Sequence, residues 1–184
     1  VRTFIAIEIP EHIRKFIHEH IQGFRTLSLP VKWVAYNNLH ITLKFLGEIT
    51  EENRMQLGSL LENFSVLQEP FTITLKDFGC FPNARRPRVV WIGVDQGSET
   101  LSTLAGGVER TLSQCGFPEE GRFHPHLTIG RIKRSCSLDH LLEQKFMSEP
   151  FCANALVLFK STLTPQGAVY QALERYEFEE KRNA

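Results

Sequence analysis

The stretch His40-Ile41-Thr42-Leu43-Lys44-Phe45-Leu46-Gly47-Glu48 decides how the chain is read, because its first four residues return nearly half a chain later as His126-Leu127-Thr128-Ile129. In an extended strand alternate residues face the same side, about 6.6 Å apart. Each His-x-Thr therefore sets an imidazole and a hydroxyl on one surface and sends Ile41 and Leu43, or Leu127 and Ile129, into the core. Two such strands side by side would gather two histidines and two threonines around one groove, with no acidic ligand among them. One imidazole can accept a proton from an attacking oxygen while the other donates to a leaving oxygen, since a side chain with pKa ~6.5 serves either role near neutrality. The hydroxyls can donate to non-bridging oxygens as charge builds there. That set suits a phosphodiester. One His-x-Thr on a wet sheet face is commonplace; two copies in matching apolar settings carry the argument.

Outward from these motifs the pattern is mixed. Ile5, Ile7 and Ile9 alternate in a strand ended by Pro10, and Ile13, Phe16, Ile17, Ile21 and Phe24 recur at helical spacing as a core-facing stripe. Residues 31–34 and 39–49 read as extended, and Thr50 as the N-cap of a helix to about Leu67. Phe71, Ile73 and Leu75 predict one strand, and Val89 to Val94 a strand buried on both faces. Residues 98–115 predict a helix despite Gly106-Gly107. Leu127 to Ile132 predicts another strand, Ser137 caps a short helix to about Phe146, and 155–163 with 169–178 form a closing hairpin. No strict β-α-β alternation, Gly-rich phosphate loop or dinucleotide fingerprint appears, so the fold class is α+β.

The bulk properties exclude several classes. A chain of 184 residues, 42% hydrophobic and 23% charged, is sized for one domain or two small lobes sharing a core, and no run approaches a membrane span. Lys plus Arg equal Asp plus Glu at 21 each, which argues against a protein that coats long nucleic acid and suits one that grips a terminus. The sequence as it begins shows no basic, apolar or cleavage-site signature of secretion, so a cytoplasmic location is expected. Cys80, Cys115, Cys136 and Cys152 lack metal-site spacing and read as reduced thiols, with Cys80 and Cys152 as small core residues.

Thr3-Phe4-Ile5-Ala6-Ile7, the extended first motif, and Phe123-His124-Pro125-His126-Leu127-Thr128-Ile129-Gly130-Arg131 together resemble the two-histidine (2H) phosphoesterase superfamily. Within it they are most similar to the RNA 2',3'-cyclic phosphodiesterases, also called 2'-5' RNA ligases. The resemblance runs from Thr3 to the final hairpin and shows no departure at either His-x-Thr. It implies a bilobal α+β fold with pseudo-twofold symmetry, residues 1–184 forming a single unit and each lobe giving one motif, 40–43 and 126–129, to a central cleft. It implies hydrolysis of a terminal ribose 2',3'-cyclic phosphate to a 2'-phosphate without metal or cofactor, reversible in principle as 2'-5' ligation. His40 and His126 would be catalytic, His40 protonating the departing 3'-oxygen and His126 activating water. Thr42, Thr128 and Arg131 would bind the phosphate, and Phe45 would stack on a terminal base. The implied partners are RNA 3' ends or cyclic nucleotides, with no membrane and no obligate protein partner.

Some readings stay open. Phe45 and Arg131 each stand an odd number of places after their histidine, so strict alternation turns them from the groove unless the strands twist or bulge. His124 either fixes the entry to its strand or orients a catalytic group, rather than completing a metal pair. Lys44, Arg85, Arg86, Arg88, Arg122, Lys133 and Arg134 either gather near the cleft to steer RNA or belong to solvated loops. Alternative functions are a 2'-5' oligoadenylate or small cyclic-nucleotide phosphodiesterase, or an RNA-end-binding module without turnover, which an assay on a cyclic mononucleotide would separate.

Overall fold

The computed structural model describes residues 2–181, so the expected unit over 1–184 runs past the described residues at both ends. Strand β1 (Arg2–Glu8) leads through Pro10 into α1 (Glu11–Arg25), then β2 (Val31–Trp33), a single 3-10 turn (Tyr36–Asn38), β3 (His40–Gly47) and α2 (Glu51–Ser65). Thr50 caps α2 as the sequence predicts: its hydroxyl accepts the Asn53 N–H at 3.0 Å while the Asn53 side chain reaches back to the Thr50 N–H. The predicted strand at 71–75 is two, β4 (Phe71–Ile73) and β5 (Leu75–Phe81), which enter different sheets. β6 (Val89–Val94), α3 (Ser98–Ser113), β7 (His126–Ile132), a one-turn α4 (Asp139–Leu142), β8 (Phe151–Ala153), β9 (Ala155–Thr164) and β10 (Gly167–Glu177) follow.

All strand pairs are antiparallel, in two four-stranded sheets ordered β10-β9-β1-β3 and β2-β7-β6-β5, with β4 and β8 as a separate ribbon. The halves exchange elements. β5 from the first half completes the sheet of β6 and β7, and β9 and β10 from the second half complete the sheet of β1 and β3. The helices cross over too. α3 packs on β3, and α1 lies on the second sheet, where Phe24 meets Phe78 and Trp33 at ring distances of 5.1 and 5.9 Å. Gly107 is tolerated in α3 because a Cβ there would stand 2.6 Å from the Phe64 ring, so α2 and α3 can approach only without it.

Four expectations need correction. Cys152 is exposed, since Phe151 and Ala153 take the inward positions of β8; Cys80 is half-buried, and no disulfide forms. Phe16 sits at the margin of the α1 stripe, 36% exposed, against Phe146. β6 is buried on one face only, Val90 and Ile92 inward, because its other face looks onto the cleft. The helix predicted to run to Phe146 stops at Leu142.

Candidate active site

The two motif strands, one from each sheet, flank a cleft of about 620 Å³ whose lining includes His40, Thr42, Phe45, His126, Thr128 and Arg131. All six residues singled out from the sequence meet there. Each imidazole is fixed the same way: Nδ1 lies 2.6 Å from a backbone carbonyl two residues upstream, that of Asn38 for His40 and that of His124 for His126. A carbonyl only accepts, so Nδ1–H is the donor, and in each neutral ring Nε2 carries the free lone pair. His124 thus orients its neighbour through its backbone oxygen. Thr42 Oγ1 lies 2.7 Å from His40 Nε2 and donates to it when the ring is neutral.

The parity of Phe45 and Arg131 is resolved by a bulge in each strand. On β3, Ala6 pairs with Thr42 and Ile5 with Lys44, leaving Leu43 as the extra residue. On β7, Trp91 pairs with Thr128 and Val90 with Gly130, leaving Ile129 extra. Leu43 and Ile129 occupy the same place after their histidines. One inserted residue reverses the alternation beyond it, so Phe45 and Arg131 turn back to the groove and both are exposed there.

The same bulge turns Lys44 to the opposite face. Its ammonium is buried, donating at 2.9 Å to Glu109 Oε2 of α3 and at 2.9 Å to the Pro118 carbonyl. Lys44 borders the cleft with its charge already taken up by Glu109, so it offers a substrate no free cation. Glu109 Oε2 also accepts the Glu120 N–H at 2.9 Å, so the pair ties β3 to the segment leading toward His126. Of the other basic residues, Arg122 lines the cleft, whereas Arg85, Arg86 and Arg88 stand exposed on the β5–β6 loop.

The walls are aromatic, and this the sequence reading missed. His40 stacks on Phe4 at 4.8 Å and meets the Tyr170 edge at 5.1 Å; His126 meets the Phe81 edge at 5.1 Å and lies near Trp91 and His124. Phe4 was legible in principle, as the aromatic out of phase with Ile5 and Ile7. Tyr170 was not, because nothing local places β10 beside the cleft. Burial lowers both imidazole pKa values: His40 falls to about 4 against its Asn38 bond, and His126 is lowered by burial and the nearby His124. Burial raises the Tyr170 phenol, with Arg131 pulling the other way. Among the described residues no group of three or more His, Cys, Asp or Glu is placed to hold a metal, and no helix is long and apolar enough to cross a membrane.

Comparison with known proteins follows this duplicated architecture. The family described as LigT like Phosphoesterase matches twice, over residues 7–91 and 92–170, one motif in each match. The chain belongs to this family. It is 37% identical over 181 residues to the RNA 2',3'-cyclic phosphodiesterase of Methanocaldococcus jannaschii, covering 96% of this chain and 100% of that protein. A crystal structure from Thermus thermophilus superposes with a TM-score of 0.86 at 27% identity, covering 99% of this chain and 100% of that one. Escherichia coli LigT complexed with 3'-AMP superposes with a TM-score of 0.78 at 29% identity, covering 96% and 97%.

Proposed function

We propose that this chain works as one bilobal unit that hydrolyses the 2',3'-cyclic phosphate at an RNA 3' end to a 2'-phosphate, by metal-free acid and base catalysis from two histidines. The observation that carries the reading is the pair of imidazoles, each with Nδ1 tied to a carbonyl and Nε2 left as the working nitrogen on one shared cleft. The name of the M. jannaschii relative and the 3'-AMP complex of E. coli LigT support the substrate class. A cytoplasmic setting fits that substrate.

Water attacks phosphorus, giving its proton to His126 Nε2. The bond from phosphorus to the ribose 3'-oxygen breaks, and that oxygen takes the proton from His40 Nε2. Thr42 and Thr128 donate to the non-bridging oxygens, and Arg131 holds the phosphate from the second lobe. Phe45 offers its exposed ring to the terminal base. Burial leaves both imidazoles neutral in the free protein at pH 7. The anionic phosphate favours an imidazolium, so its binding draws from solvent the proton the acid must carry. Placing it on His40, which holds it less tightly, reduces the population of the working form but strengthens both proton transfers. The same groups run the reverse step as 2'-5' ligation.

The test is incubation with a 2',3'-cyclic mononucleotide in excess EDTA, with the product regiochemistry read by phosphorus NMR. A 2'-phosphate formed at an undiminished rate is expected. Activity lost to EDTA and restored by zinc overturns the mechanism, and no turnover reduces the protein to an RNA-end-binding module.

A further inference from the structure

We infer that the cleft-facing end of the second sheet, together with the β5–β6 loop, docks the RNA strand upstream of the reacting 3' end, so that the protein selects polynucleotide ends over cyclic mononucleotides. The inference rests on the reaction proposed above and adds a binding surface outside the cleft.

The first observation is segregation of charge. The whole chain is neutral, yet every charged residue in 26–47, 78–94 and 121–138 is Lys or Arg. The fold joins these stretches: they supply β2, most of β5, β6 and β7, the strands of the second sheet. Apart from Lys44, these cations are uncompensated, because the ion pairs among the described residues use Lys44, Arg54 and Arg175. A neutral protein thus presents a one-signed field at one place.

The second observation is continuity with the cleft. Phe81 pairs with Val89, Val89 with Arg131 and Arg131 with Lys32, a row across all four strands. Cross-strand partners project to the same side. The first three line the cleft, so Lys32 extends that face to the sheet edge. Strand β7 leads out of the cleft through Thr128 and Arg131 toward Lys133 and Arg134. Successive outward positions lie about 6.6 Å apart, close to the separation of phosphates along an extended strand.

The third observation is that the loop is braced while its arginines are free. Phe81 and Val89 form its base. The Arg88 N–H donates to the Phe81 carbonyl at 2.7 Å, and Asn83 Oδ1 accepts the N–H groups of Arg85 and Arg86 at 3.1 Å each. The Arg88 carbonyl accepts the Ile132 N–H at 2.8 Å, and Pro87 is buried. The backbone is thereby held against β7, and Arg85, Arg86 and Arg88 project into solvent. Near α3 the cleft margin carries Glu120 instead, so a polyanion leaving the site is drawn along the second sheet.

The experiment compares kcat/KM for a cyclic mononucleotide and for an eight-nucleotide RNA ending in a 2',3'-cyclic phosphate, in the wild-type chain and in Arg85→Ala/Arg86→Ala/Arg134→Ala, across a range of salt. These side chains are exposed, so the variant keeps its fold, checked by its melting temperature. The wild type is expected to prefer the oligonucleotide. The variant loses roughly tenfold on that substrate through KM, with a salt dependence shallower by about 0.7 per phosphate contact removed, and keeps its mononucleotide rate. Equal wild-type efficiency on both substrates, or an unchanged oligonucleotide KM and salt slope in the variant, overturns the inference and leaves the reaction standing. Failure of the wild type to turn over either substrate overturns the reaction, and the inference with it.

Discussion

Strands β3 and β7 share a scaffold and differ in what they build on it. In both, a carbonyl two residues upstream fixes the histidine and the third residue after it is bulged. Beyond the bulge they diverge. The inward position is Lys44 in β3 and Gly130 in β7; the cleft position is Phe45 in one and Arg131 in the other. The neighbours explain the inward pair. β3 is a sheet edge under α3, where Glu109 waits for a cation. β7 lies between β2 and β6, where a Cβ on residue 130 would stand 2.5 Å from Val31 Cγ1 and 3.1 Å from both Trp33 and Val90. Repetition supplies matched histidines, and the specialised groups sit where the two environments differ.

The most severe way to break this comparison is at the histidines. His40→Ala and His126→Ala should each lower kcat on a 2',3'-cyclic nucleotide by roughly 10² to 10⁴. A nitrophenyl phosphodiester, whose leaving group scarcely needs protonation, should restore much of the rate to His40→Ala and none to His126→Ala. Rescue of His126→Ala instead exchanges the two roles.

Next come the threonines. Removing one donor to a developing oxyanion costs on the order of 10² to 10³ in rate, so Thr42→Val and Thr128→Val should both be slow. Only Thr42→Val loses a bond to its own histidine. It alone should displace the pH–rate profile, and equal displacement by both variants would erase that asymmetry.

The inward positions are tested by stability. Lys44→Met strands the Glu109 carboxylate and should cost about 3 kcal/mol in urea unfolding, largely recovered in Lys44→Met/Glu109→Leu. Gly130→Ala should cost about 1 to 3 kcal/mol by overpacking. A neutral Lys44→Met would show that the ion pair does not tie the lobes.

The mildest test is pH. With both imidazoles lowered from 6.5, His40 to about 4, the singly protonated pair of the free protein is most populated below 6.5. kcat/KM should therefore peak on the acid side of that value and fall as pH rises through it. kcat reports the complex, where the phosphate charge favours imidazolium, and should peak at higher pH. Coincident profiles would mean that substrate charge does not reach the histidines.

Much of the fold was legible because local periodicity reports which side of an element is buried. The α1 stripe at Ile13, Ile17, Ile21 and Phe24, the Thr50 cap and the closing hairpin needed no tertiary information. Where the reading failed, the deciding contact came from far along the chain. Phe71 to Leu75 looked like one strand because its alternation is unbroken, yet β4 pairs with β8 and β5 with β6. β6 looked doubly buried because Val89 and Trp91 are apolar, but Val89 is apolar as cleft wall and Trp91 lies over Gly79 behind His124 and His126.

The site divides in the same way. The placement of His40, Thr42, His126 and Thr128 was legible in the sequence alone, since period-two alternation and one internal repeat put four polar groups on the wet faces of two strands. The turn of Phe45 and Arg131 into the cleft, the burial of Lys44, the wall formed by Phe81 and Tyr170, and the Phe4 ring buried behind His40 were decided by tertiary structure. A bulge is a mismatch between two strands, and a cleft wall is a meeting of elements remote in the chain. Neither leaves a mark in the local periodicity of the residues that take part.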